Sequence, residues 1–98
     1  MKKIWIYGAG KRGLEAYKKY ATYNNQQNMF AGFVDSYRCG QLCAGIKISE
    51  LTEVPREDII VISVASSDKI VQIYDLLREL EYNNIFLFDN ERNMQKTT

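Results

Sequence analysis

Gly8, Gly10 and Gly13 stand in the pattern Gly-x-Gly-x-x-Gly, Lys11 and Arg12 fill the gap before the last glycine, and Asp35 follows 22 residues after Gly13. These residue types at this spacing suit the binding of a phosphorylated nucleoside. Gly8 would make a tight turn, Gly10 would leave room for a pyrophosphate against the backbone, and Gly13 would let a helix pack close to a sheet. The phosphates would meet unpaired N–H groups at the positive end of the helix dipole. Lys11 and Arg12 would pair with them; read more plainly, they are a solvated helix start, although cations there oppose the dipole. Asp35 would accept hydrogen bonds from ribose hydroxyls, and its charge would repel a 2′-phosphate, which favours NAD over NADP. The alternative is a turn that is merely tight and an aspartate that merely ends a strand. Ser66 is either a ligand contact or a helix cap.

For this chemistry the glycines must follow a strand and open a helix. The pattern supplies both. Residues 3–7 are a short apolar run, and residues 11–23 carry Leu14, Tyr17 and Ala21 at helical spacing. Residues 29–34 read as the next strand, ending at Asp35. A loop over 36–45, a short third strand at 46–48 and one helical turn from Ser49 to Pro55 follow. Residues 58–64 (DIIVISV) are apolar almost throughout, as in a strand covered on both faces. Ile70, Ile73, Tyr74, Leu77 and Leu80 then mark a second helix, and residues 84–88 a last strand. Strands alternating with helices predict a three-layer α/β domain. Its mostly parallel sheet of about five strands would run in the order 3-2-1-4-5. The domain would occupy residues 1–90, with 91–98 a polar tail or the stub of a continuation.

Composition narrows the function. A net charge of +1 over 98 residues shows none of the basic excess that nucleic-acid binding leaves. No apolar stretch approaches the roughly 20 residues of a membrane span, so no membrane insertion is expected. The run after Lys2-Lys3 is too short for a signal peptide, which makes the cytoplasm the expected compartment. Histidine is absent, and with it the commonest general base and zinc ligand. Cys39 and Cys43 lack partners for a structural zinc site and read as free thiols. Neither a metal site nor a catalytic set is expected. Tyr7 and Lys11 show Tyr-x-x-x-Lys spacing but straddle the glycine turn, the wrong place for an acid/base pair. Tyr37 is either a base-stacking residue or a solvent-facing loop side chain.

The segments IYGAGKRG, GFVDS, AGIKISELTEV and DIIVISVASSDKIVQIYDLLRELEYNNIFLF together resemble the Rossmann-like N-terminal domains of bacterial sugar-modifying enzymes. These are the modules of sialic-acid O-acetyltransferase type and of related polysaccharide-biosynthesis proteins. The resemblance spans residues 3–88. It implies a UDP-sugar ligand, with Gly8, Gly10, Lys11, Arg12 and Asp35 as contacts, in a module that binds rather than catalyses. The β-helix and catalytic histidine of the acyltransferases are missing from this chain, and Glu81-Tyr82 stands where relatives often have glycine. The ligand expected is thus a nucleotide-containing small molecule, NAD or a UDP-sugar. Alternatives are an NAD-dependent oxidoreductase or epimerase fragment, an NAD(H)- or CoA-responsive regulatory domain, and an interaction domain without ligand. A homodimer or fusion to a larger enzyme would suit so small a domain.

Overall fold

Alternation along two adjacent strands builds the molecule's two cores. In β1 (Lys2–Tyr7) Ile4 and Ile6 enter one cluster, while Tyr7 and, in part, Trp5 enter the other. In β5 (Ile59–Ile62) Ile59 and Val61 join the first, Ile60 and Ile62 the second. Successive strand side chains point to opposite faces, so a strand apolar throughout needs cover on both. Helix α1 (Lys11–Tyr20) covers the first face with Ala16, Tyr17 and Tyr20. Helix α2 (Ser67–Glu79) covers the second with Ile70, Ile73, Tyr74 and Leu77. The computed structural model describes residues 2–20, 28–88 and 95–96. The expected extension of the first helix over 21–23 lies outside them. Among the described residues no helix is long and apolar enough to cross a membrane.

With β2 (Asn28–Val34), β6 (Ile85–Leu87) and β7 (Gln95–Lys96), the main sheet runs in the order β2-β1-β5-β6-β7. Its first four strands are parallel, and β7 pairs antiparallel with β6. This α/β layering is compatible with a Rossmann-like fold. The expected strand order 3-2-1-4-5 is corrected at both edges. Residues 46–47 do not extend the sheet beside β2. They form β4 (Ile46–Lys47) of a separate antiparallel hairpin with β3 (Leu42–Cys43). One isolated parallel bridge, Val34 to Ser49, remains where a third strand would lie. The cause is the hairpin turn: Ala44 and Gly45 both have positive φ, 52° and 78°, as a two-residue type I′ turn requires. At the other edge, β7 falls in the segment read as a tail.

A register shift between Ile4 and Trp5 leaves Ala31 unpaired, so that Ile4 faces Phe30 and Trp5 faces Gly32. This bulge lets Phe30 and Phe33, three residues apart, reach the same face. Their rings lie 5.4 Å apart, and both pack on Tyr17 of α1. Gly32 sits beneath the Trp5 ring, 3.2 Å from where a Cβ would be. The bulge therefore sets the phase in which β2 delivers Asp35 to its tip. At the opposite end of the sheet, buried Asp58 accepts from Trp5 Nε1 (3.0 Å) and the Lys3 amide (3.3 Å), tying β5 to β1.

Helix α2 ends in a Schellman motif. The Tyr82 amide donates to Leu77 O (2.9 Å), the Glu81 amide donates to Arg78 O (3.0 Å), and Glu81 takes φ 70°. Leu77 and Tyr82 share one core cluster, the apolar contact that accompanies this cap. The left-handed conformation costs a non-glycine residue roughly 1–2 kcal/mol. Glu81→Gly is expected to raise stability by about 1 kcal/mol, read as a higher urea midpoint at constant m-value. An unchanged or lower midpoint would contradict the strained cap.

Candidate functional site

The turn from β1 into α1 is shaped by three glycines with three different constraints. Gly8 has φ 115°, and its amide donates to Val34 O (2.7 Å). A Cβ there would lie 2.6 Å from Ser63 O, so the turn is pressed against the end of β5. A Cβ on Gly13 would lie 1.9 Å from Gly8 O, where the first turn of α1 rests on the strand end. Gly10 is different. Its added Cβ would meet only Arg38 Nη2, at 3.9 Å. The Gly10 carbonyl accepts from the Leu14 amide (3.0 Å), which makes Gly10 the helix N-cap. Gly10 thus opens toward space, and the first turn of α1 carries no acidic residue. Lys11 is exposed beside it, and Arg12 is half-buried.

Asp35, at the tip of β2, reaches back to this turn. One carboxylate oxygen accepts from the Ala9 amide (2.9 Å), the other from the Tyr37 amide (2.8 Å). The carboxylate therefore fastens its own loop to the glycine turn and occupies one of the turn's donors. An ionised carboxylate has about four acceptor positions, so two remain. The same loop is held elsewhere. Buried Tyr7 shares a 2.6 Å hydrogen bond between its hydroxyl and Ser36 Oγ, and Gly40 N donates to Ile48 O (3.0 Å). Arg38 Nη1 donates to Ala9 O at 3.4 Å, and Cys43 Sγ approaches the same oxygen at 3.7 Å. Burial pushes the Cys43 thiol up, Arg38 opposes that and Asp35 adds to it. Cys39 and Cys43 are both free, the first exposed and the second buried.

Between this loop, the glycine turn and α2 lies a cavity of about 680 Å³. That is within the roughly 300–1,000 Å³ usual for small-molecule sites. Of the residues expected from sequence, Gly8, Gly10, Lys11, Arg12, Asp35 and Ser66 all line it. Gly13 does not. It is buried under the turn, where it sets the helix position. Ser66 is the N-cap of α2, its hydroxyl accepting from the Lys69 amide (3.4 Å). A smaller cavity of about 190 Å³ adjoins at Tyr7, Asp35 and Ser36, and extends to Cys39, Glu50 and Leu51.

Among the further lining residues that sequence reasoning missed, three carry a charge or an unpartnered hydroxyl. Among the described residues, Arg38 and Lys69 bring the cavity's cations to four, with Asp35 its single carboxylate. Neither lies in a motif; each is an exposed charge with no local signal. Lys69 Nζ stands 5.8 Å from the centre of the Tyr37 ring, so the loop after β2 and the first turn of α2 meet across the mouth. Tyr37, 85% exposed, also lines the cavity. The third of the three is Ser63, buried at the end of β5. Among the described residues its Oγ has no hydrogen-bond partner. Buried hydroxyls are rarely left so. Among the described residues the cavity thus gathers four cationic side chains and the Asp35 carboxylate around the N-terminus of α1. Comparison with family models, with curated proteins and with solved structures found no match to this chain.

Proposed function

We propose that this chain is a nucleotide-binding module that takes a phosphate-bearing nucleoside, NAD or a UDP-sugar, at the glycine turn. It binds and performs no chemistry of its own. The observation that carries this reading is the cavity at Gly10: an open helix N-terminus faced by Lys11, Arg12, Arg38 and Lys69. Four cations around one concavity repel one another, and a diphosphate relieves that repulsion while accepting hydrogen bonds from first-turn amides of α1, which a helix leaves without intrahelical partners. Arg38 is bound to Ala9 O only at 3.4 Å. A phosphate oxygen is a stronger acceptor, so the guanidinium exchanges a weak contact for a charge-assisted one. Asp35 keeps the turn in shape and offers its remaining lone pairs to ribose hydroxyls. The sequence resemblance supports placing such a module in a bacterial surface-carbohydrate biosynthesis protein.

Thermal denaturation with ADP, UDP, NAD and UDP-glucose tests the proposal. A nucleotide present at 100-fold over its Kd should raise stability by about 2.7 kcal/mol. The gain should shrink as salt screens the cations. No shift with any of the four would refute it.

A further inference from the structure

We infer that the α2 wall of the cavity is a second subsite, which takes a flat, uncharged ring carried on the ligand's diphosphate rather than a hexose or a cationic ring. This rests on the nucleotide site proposed above and deepens it. The cavity does not end at the cations. It follows α2 from Lys69 through Gln72 and Ile73 to Leu76. The eight residues from Lys69 to Leu76 span about 10 Å of helix, more than a diphosphate needs.

The chemistry of that stretch is apolar. Val64 and Ile73 are half-buried members of the second core's margin, and Leu76 is 39% exposed. A hexose brings several hydroxyls, each costly to bury without a partner. Beyond Lys69 this wall answers them poorly, because of the lining residues Gln72, Ile73 and Leu76 only Gln72 carries a polar side chain. A ring needs only apolar area and an edge contact. Charge then selects among rings. Lys69 stands on this wall, while Asp35, the one carboxylate lining the cavity among the described residues, sits across it at the tip of β2. Asp68 and Asp75 of α2 are exposed and do not line the cavity. Among the described residues, a cationic ring would meet Lys69 with no cavity-lining acid on the same wall; a neutral ring of the same shape would not meet that repulsion.

The probes are NADH, NAD, ADP-ribose, UDP-glucose and ADP, titrated onto the full chain by calorimetry. NADH has a neutral ring, NAD a cationic one, and ADP-ribose the same diphosphate with no ring. NADH is expected to bind about tenfold or more tightly than the other four, the scale of a well-filled apolar pocket. Leu76→Asp should cancel that advantage and leave ADP-ribose unchanged. Gln72→Glu should narrow the gap between NADH and NAD. If ADP binds but NADH is no tighter than ADP-ribose, NAD or UDP-glucose, the subsite is overturned and the nucleotide site stands. If none of the five binds, both fall.

Discussion

Gly13→Ala is expected to lower the melting temperature by more than about 10 °C, equivalent to roughly 3 kcal/mol for a domain of this size. The side chain it adds is a single methyl group. That methyl would have to occupy a point 1.9 Å from the Gly8 carbonyl oxygen and 2.8 Å from its carbon, and both are backbone atoms. No rotamer change relieves such a clash, so α1 must lift away from β1. Lifting it breaks the contact of Ala16 and Tyr20 with Ile4, Ile6 and Phe33, which form one buried cluster. Overpacking of this kind typically costs about 1–3 kcal/mol, and the upper end applies where neither side is flexible. The gain in helix propensity, at most about 1 kcal/mol, does not offset it. Circular dichroism melts of the two proteins decide the matter. A variant melting within a degree or two of the parent would show that the helix does not rest on the turn as described.

Gly10→Asp is expected to spare stability and remove binding. Its φ is not in the left-handed region, and the new Cβ meets only Arg38 Nη2, at 3.9 Å. Aspartate is a better N-cap than glycine by a few tenths of a kcal/mol. It also complements a first helical turn that holds cations and no acid. Stability should therefore hold or rise slightly. Binding should collapse, because a fixed carboxylate would fill the phosphate space and engage Arg38. We expect affinity for ADP to fall at least about 100-fold, the loss of about 2.7 kcal/mol. Calorimetric titration alongside a melt reads both axes. Unchanged affinity in a well-folded Gly10→Asp protein would mean that the phosphates bind elsewhere. The pair of variants separates the two uses of glycine in one motif, close packing at Gly13 and open access at Gly10.

Much of this molecule is written in local pattern. The alternation of Ile4 and Ile6 against Trp5 and Tyr7 announces a strand with two covered faces. The spacing of Ile70, Ile73, Tyr74 and Leu77 announces the helix that covers one of them. Each signal depends on neighbours within one or two turns of chain, and short-range geometry is what residue type controls directly. The third strand was misread for the complementary reason. Type I′ turns usually advertise themselves with Asn-Gly or Asp-Gly, and here the positive-φ pair is Ala44-Gly45. The residues on either side still have strand character. Only the turn decides whether they join the large sheet or fold on each other, and Ala44 carries no mark of it. The bulge at Ala31 is equally silent, since it serves two phenylalanines that meet the same aromatic neighbour, Tyr17, on one face of the sheet.

The candidate site divides along the same line. The glycine turn, the helix it opens and the acid 22 residues later are contiguous pattern, and the sequence by itself determined them. Which side chains gather around that turn was decided by the tertiary structure alone. Arg38 comes from a loop pinned by Tyr7 and Gly40, Lys69 from a helix beyond β5, and Ser63 from a strand end pressed onto Gly8. Charged surface residues and single serines occur throughout any chain and carry no periodic signature. They acquire meaning when distant segments meet, because an electrostatic or hydrogen-bonding role depends on distances in space and not on separation in sequence.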